Sequence, residues 1–433
     1  MTRKSFDPEQ YLRPDIEELT LTLCLTEECN LACSYCYQGY RRKGAMTFET
    51  ATGIIDSYLR REDRFKKVII EFIGGEALLY FDRIRDIFIW TVERIDQWCK
   101  PFHFFIDTNG TLLTDEIKKW FEKYSKYISL GLSLDGIPEV HNANRCNSYE
   151  RVRPHLPFFK SLWPGQPVKM TIGPSTIPHL CDSILHIIDL GFFVTANTPM
   201  EDIWGEPDHK LALVKTFGEE IKKVVRWVKE HPEANLPSLV DLPIETITED
   251  NPCHAWCGCG RNMVAFDVDG TPLPCSRFAS MSFDHRCFVS PINLHAQSRC
   301  HTCAFRPACQ TCEANNWEIT GNPNVPTNFH CEFIKLQIWG TAQIRLARLQ
   351  QRLEELRRAQ DIGSEKVINE AVLVNLHLKT VHFILEQFQK SNNLAEVGMA
   401  SEIHYPHLPP RPLWSEEGLL CLRHINNTIG ARQ

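Results

Sequence analysis

No run of this 433-residue chain approaches eighteen consecutive apolar residues, and its opening segment, Met1-Thr2-Arg3-Lys4-Ser5-Phe6-Asp7-Pro8-Glu9, lacks the apolar core of a signal peptide. Those absences argue against a membrane-spanning helix and against export, so the expected location is the cytoplasm. Positive charge is short as well. The 47 Lys and Arg are outnumbered by 54 Asp and Glu, a formal net charge of -7, which argues against generic nucleic-acid binding and gives no membrane-surface signal. Internal repeats and low-complexity segments are missing too. Apolar residues (43%) and charged residues (23%) sit near globular averages, and the length suits one large barrel with additions or two to three domains. The excess lies in cysteine, with 18. Small secreted chains use such cysteines for disulfides, but in a chain this long without an export signal, clustered cysteines read as metal ligands.

The first cluster is Cys29-Asn30-Leu31-Ala32-Cys33-Ser34-Tyr35-Cys36-Tyr37, just after the apolar segment Leu21 to Leu25. Thiolates are the ligands that iron-sulfur clusters favour, and a closed 4Fe-4S cluster takes four. Three within eight residues can hold three irons and leave the fourth open for a small-molecule ligand. A zinc knuckle or three unconnected thiols is the alternative, though zinc sites more often pair two C-x2-C units.

Onward from the loop, strand-like and helix-like segments alternate, which implies parallel strands with crossover helices. Strands are expected at Leu19 to Leu25, Lys67 to Phe72, His103 to Asp107, Ile128 to Leu134, Val168 to Ile172 and Phe192 to Asn197. Helices are expected at Thr47 to Arg60, Asp82 to Cys99, Asp115 to Lys126, Tyr149 to Leu162 and near His179 to Asp189. Polar motifs follow several strands: Gly74-Gly75-Glu76, Thr108-Asn109-Gly110 and Ser133-Leu134-Asp135-Gly136. Barrel enzymes place their chemistry at these strand ends.

C-x3-C-x2-C with Tyr35 before the last cysteine resembles the signature of radical S-adenosylmethionine (radical SAM) enzymes. In that family the open iron binds the amino and carboxylate groups of S-adenosylmethionine, and one electron cleaves the sulfonium to a 5'-deoxyadenosyl radical that abstracts hydrogen. The resemblance implies an α/β fold with a partial (β/α)6 TIM-like barrel. It also implies cofactor-binding roles for Gly74, Gly75 and Glu76, where glycines let backbone approach the ligand and the carboxylate can accept from the methionyl ammonium. Asn109, Ser133 and Asp135 match cavity-lining positions. Arg145 matches the arginine of a His-Asp-x-x-Arg segment in sulfatase-maturing relatives, with Asn142 here in place of the aspartate.

The region from Pro252 to Cys331 holds ten cysteines, several prolines and little periodicity, so metal binding would supply its folding energy. Its spacing resembles the SPASM domain, which carries two auxiliary 4Fe-4S clusters in peptide and protein maturases. The resemblance implies one set at Cys253, Cys259, Cys275 and Cys312 and a second at Cys300, Cys303, Cys309 and Cys331; two structural zincs are the alternative. Cys257 and Cys287 are surplus and either replace a named ligand or contact substrate, where with Tyr37 they are candidate acids or donors. Cys24, Cys99, Cys146, Cys181 and Cys421 read as small buried hydrophobes. Beyond Cys331, stripes at Ile338 to Leu356 and Val367 to Phe388 predict two antiparallel helices joined near Asp361-Ile362-Gly363. They pack on the barrel, make a dimer contact or dock a partner peptide, and His407 to Pro412 reads as an extended tail.

The expected organisation is therefore an N-terminal extension (1–18), a radical SAM partial barrel (19–235), a SPASM domain (236–335) and C-terminal helices with a tail (336–433). The resemblance implies three 4Fe-4S clusters, S-adenosylmethionine, a peptide or protein substrate, and a ferredoxin or flavodoxin reductant for the low potentials involved. No nucleic acid or membrane partner is expected. The leading reading is a peptide maturase that forms a thioether or carbon-carbon crosslink by net oxidation. The runner-up is formylglycine generation on sulfatases; relatives of that type carry an aspartate base directly after the cysteine of the Gly-x4-Cys unit, where this chain has Ser276. A non-catalytic iron-sulfur electron carrier is the reading of another class, and it would not need the Gly-Gly-Glu and Ser-Leu-Asp-Gly elements. Only twenty-eight residues precede Cys29, so a leader peptide is expected to bind the barrel, the cysteine-rich domain or the C-terminal helices.

Overall fold

The computed structural model describes residues 16–38, 42–244, 257–259, 262–280, 303, 305, 308–320, 328–359 and 365–390. Cys253, Cys287, Cys300, Cys421, the Asp361 to Gly363 joint and the His407 to Pro412 segment lie outside the described residues. Six parallel strands follow one another in chain order: β1 (Glu18–Thr26), β2 (Lys67–Gly74), β3 (Phe102–Thr108), β4 (Ile128–Leu132), β5 (Val168–Thr171) and β6 (Val194–Asn197). β1 pairs with β2, β2 with β3 and β3 with β4, and β5 pairs separately with β6. A parallel bridge from Ser133 to Lys169, with Leu134 N donating to Lys169 O at 2.9 Å, joins the two groups. This is the α/β partial barrel.

Period-two alternation decides which residues meet the helices and which face inward. Leu19, Leu21, Leu23 and Leu25 on β1 are fully buried, in register with Val68, Ile70 and Phe72 on β2. They form one core with α1 (Phe48–Arg60), α2 (Phe81–Val92) and α3 (Asp115–Tyr124). Phe72 stacks on Phe104 at 5.7 Å and Phe88 meets Phe104 edge-on at 5.2 Å, a geometry favoured by the ring quadrupole. Helix starts follow local chemistry: Thr47 and Thr114 cap α1 and α3, accepting from Thr50 N and Ile117 N. The helical stretch expected at Tyr149 to Leu162 forms as α5 (Tyr149–Val152) and α6 (Leu156–Leu162), separated by a 3-10 turn at Arg153–His155; α4 (Pro138–Asn144) precedes them.

Two more strands extend the sheet beyond β1. β7 (Met263–Phe266) runs parallel to β1, with Thr20 opposite Met263, and β8 (Pro272–Leu273) pairs antiparallel to β7. Arg42 clamps this edge: its guanidinium bonds Glu27 at 2.6 Å, beside the cluster loop, and Asp267 after β7. α7 (Leu180–Asp189) and the long α8 (Pro207–Glu230) complete the barrel side. After α9 (Glu313–Thr320), helix α10 (Asn328–Arg357) packs along α8, and Gly340 permits the approach, since a Cβ there would lie 2.9 Å from Ile221 Cγ2. Helix α11 (Glu365–Lys390) returns against α10. The two expected C-terminal helices thus pack on each other, and the first of them on the barrel.

Candidate active site

The inner face and the upper strand ends enclose a cavity of about 490 Å³. Cys29, Cys33 and Cys36 line it together with Gly74, Gly75, Asn109, Ser133 and Arg145. Glu76 and Asp135 are not part of the lining; they stand behind it as buried carboxylates at 1% and 0% exposure.

Local bonds hold the cysteine loop in place. Leu31 N donates to Cys29 Sγ at 3.4 Å, Ala32 N to Cys146 Sγ at 3.2 Å, and Ser34 N to Asn144 O at 2.9 Å. Tyr35, between two of the cysteines, turns inward and donates its hydroxyl to Asp135 Oδ2. Burial pushes the Cys33 thiol up to about 11, so without metal it stays protonated at neutral pH and ligation releases a proton.

Asp135 is the hub beneath the site. Arg145 Nε donates to its Oδ2 at 2.9 Å, Asn144 Nδ2 to the same oxygen at 3.2 Å, and Thr171 N to Oδ1 at 3.0 Å. Arg145 is thereby fixed at the cavity wall, its charge matched by a carboxylate instead of by water. His141 completes the layer: its Nδ1 accepts from Asp135 N at 3.3 Å, and Nε2 lies 3.0 Å from Ser148 Oγ. This pattern requires the tautomer with Nε2 protonated. Burial lowers the His141 pKa to about 4, whereas the unfolded chain takes up a proton near 6.5. The unfolded state therefore binds more protons between these values, and stability present above about pH 6.5 is lost as pH falls toward 4. Urea unfolding at pH 7.5 and pH 5 should show this slope, and His141→Asn should flatten it by about one proton.

Glu76 is engaged by the protein itself. It accepts from Thr108 Oγ1 at 2.7 Å, Asn109 N at 2.7 Å and Leu78 N at 3.2 Å. Burial pushes its carboxyl up against the pull of these donors. Its evident work is to draw the end of β3 onto the glycine turn. Gly74 and Gly75 pack on the backbone of the loop leaving β1, and Gly75 N donates to Thr26 O at 2.9 Å.

The cysteine-rich segment reaches the same cavity. Ser276 and Met263 line it. Next to Ser276, Cys275 pairs with Cys259 through a hydrogen bond that lowers the Cys275 pKa, and both are buried with Leu273, Phe278 and Trp317, against which the partly buried Cys312 packs. Burial pushes Cys312 up to about 12. Three members of the expected first auxiliary set are therefore together. Of the second set, Cys303 and Cys309 pack against the core of Phe305, Ala308, Ile334 and Ile338, and Cys331 lies on α10. Arg277 binds the segment to the barrel, pairing with Glu201 at 2.5 Å and Glu318 at 2.9 Å while its guanidinium lies 4.4 Å from the ring centre of Tyr37.

Sequence reading passed over three inner-face charges that line the cavity, Glu71, Asp107 and Lys169. The signal was available: each is a charge within an apolar strand of a barrel, where alternation turns every second side chain inward.

The donor set suits a 4Fe-4S cluster with S-adenosylmethionine. Three thiols line the same cavity, an amide N–H reaches Cys29 Sγ, and hydroxyl, amide and guanidinium groups are among the other lining residues. The comparisons agree. Residues 23–162 match the model of the radical SAM superfamily. The chain is 22% identical to a cysteine-type anaerobic sulfatase-maturating enzyme of Clostridium novyi over 72% of this chain and 91% of that one. It is 24% identical to the antilisterial bacteriocin subtilosin biosynthesis protein AlbA of Bacillus subtilis, over 60% and 55%. It spans about half the length of two uncharacterized archaeal relatives that it matches at 29% and 37% identity. The solved structure of native anSMEcpe with bound AdoMet and Cp18Cys peptide shares the fold at TM-score 0.59 and 18% identity, covering 76% of this chain and 99% of that one. The chain therefore carries, over residues 23–162, a domain of the radical SAM superfamily.

Proposed function

We propose that this protein is a radical SAM maturase that oxidises a peptide or protein substrate and closes a thioether or carbon-carbon crosslink in it. When bound, the cluster and S-adenosylmethionine supply an electron and a 5'-deoxyadenosyl radical that removes hydrogen. Cys29, Cys33 and Cys36 would hold the cluster. Asn109, Ser133 and Arg145 would meet the polar ends of S-adenosylmethionine, Gly74 and Gly75 would offer backbone to it, and Glu76 and Asp135 keep those groups in place. Cys253, Cys259, Cys275 and Cys312, and Cys300, Cys303, Cys309 and Cys331, would hold two further clusters as electron acceptors for a net oxidation, with a ferredoxin or flavodoxin as reductant.

The observation that carries the crosslinking reading is Ser276. It lines the same cavity as the three thiols, at the position where formylglycine-forming relatives place an aspartate base, and a serine hydroxyl is no proton acceptor at neutral pH. One observation favours formylglycine formation instead: the similarity to the Clostridium novyi enzyme extends over 91% of that protein.

Anaerobic reconstitution tests the class. The wild type should hold about twelve irons and release 5'-deoxyadenosine under dithionite, whereas a triple variant at Cys29, Cys33 and Cys36 with alanine should hold about eight and release none. Bound zinc with no nucleoside would sink the proposal. Between substrates, mass spectrometry decides: a loss of two hydrogens in a cysteine-rich peptide supports crosslinking, and a hydrazine-reactive aldehyde in a sulfatase-type cysteine peptide supports the second reading.

A further inference from the structure

The inner face of the barrel carries, among the described residues, a carboxylate with no ion-pair partner of its own. Among the charged residues lining the cavity, Arg145 is paired with Asp135, Glu201 with Arg277, and Lys169 with Asp107. Glu71 is the carboxylate left over. Its Oε2 accepts from Thr22 Oγ1 at 2.9 Å, a neutral donor on β1. On β3, Asp107 offers Oδ2 to Lys169 of β5, while its Oδ1 is buried with no hydrogen-bond partner among the described residues. Gly131, opposite Asp107 in the β3–β4 register, makes the space: a Cβ there would lie 2.5 Å from Asp107 Oδ1. Thr22, Glu71, Asp107 and Lys169 come from four different strands, so no local turn requires their meeting.

A buried acceptor without a donor and an excess carboxylate in a cavity both carry a cost that a cationic donor removes. Burial and the nearby Asp107 push the Glu71 carboxyl up against the pull of Lys169 and Thr22, and a further cation in the cavity would favour its charged form. We propose that Glu71 and Asp107, held by Thr22 and Lys169, form a subsite for a cationic group of the peptide substrate, an ammonium or guanidinium. The source is a Lys or Arg side chain or a free amino terminus. This rests on the maturase reading and adds to it a substrate preference, for a positive group close to the bond being made.

The test uses the reconstituted protein saturated with S-adenosylmethionine, so that the cofactor's own ammonium is already accommodated. Dissociation constants are measured by saturation-transfer NMR for N-acetyl-lysine methylamide, its isosteric norleucine analogue, and norleucine methylamide with a free amino group. The lysine probe should bind about 10-fold tighter than the acetylated norleucine probe. A similar gain for the free-amine probe alone assigns the subsite to an amino terminus instead of a side chain. Glu71→Gln and Asp107→Asn should each bring the preference within about twofold. Equal binding of the three probes by wild type overturns the proposal whatever the variants do, as does a preference that survives both substitutions. Failure of the wild type to bind S-adenosylmethionine is a separate result and would overturn the radical SAM reading itself.

Discussion

Asp135→Ala is expected to destabilise the domain by about 3–5 kcal/mol, the range for breaking a buried ion pair by removing one partner. Arg145 keeps 8% of its side chain exposed and Asp135 none. The truncation leaves a cation buried without its carboxylate and strips acceptors from Tyr35, Asn144 and Thr171. Asp135→Asn preserves the shape and part of the bonding, so it should cost less. The effect should also reach the cofactor. Tyr35 sits between Cys33 and Cys36 and is anchored by Asp135, so the alanine variant should retain less iron after reconstitution. Urea midpoints and iron counts on the same preparations check both parts, and a loss under about 1 kcal/mol would contradict the central place given to this carboxylate.

Gly74→Ala is the second large expected effect. Gly74 has φ +143°, and a Cβ there would lie 1.8 Å from Thr26 O, which already accepts from Gly75 N. Backbone cannot yield as a side-chain tip can, so overpacking of about 1–3 kcal/mol adds to strain of about 1–3 kcal/mol. Gly75→Ala meets the same obstacle, with Glu28 O at 2.2 Å. Gly53 in α1 is the control. Nothing lies within 4 Å of its would-be Cβ, so Gly53→Ala should stabilise the helix by about 0.5–1 kcal/mol. Thermal unfolding of the three variants gives the comparison. If all three shifted alike, the close approach of the glycine turn to the cluster loop would not be what matters.

These two sites show how unevenly the chain discloses itself. Leu19 to Leu25 and Lys67 to Phe72 read as strands because a parallel strand covered by helices is apolar nearly throughout. The cysteine loop reads as a ligand set because its three donors lie within eight residues, so no knowledge of the fold is needed to bring them together. The long helix α8 had no strand motif beside it to mark it. The pairing of β7 with β1 joins residues more than two hundred positions apart, and no local pattern encodes it. Arg277 looks unremarkable in sequence, yet it meets Glu201, Glu318 and Tyr37 from three separate segments.

The sequence by itself determined the six barrel strands, their order and the three-thiol loop, since each follows from apolar patterning or spacing over a few residues. Tertiary structure alone decided which polar groups face the cavity and which stand behind it. Glu76 and Asp135 went behind because neighbouring strand ends offer them amide, hydroxyl and guanidinium donors, and buried carboxylates settle where donors are densest. Glu71, Asp107 and Lys169 went inside because barrel closure turned one face of each strand toward the same space, and a strand's own sequence cannot say what its neighbours will place opposite.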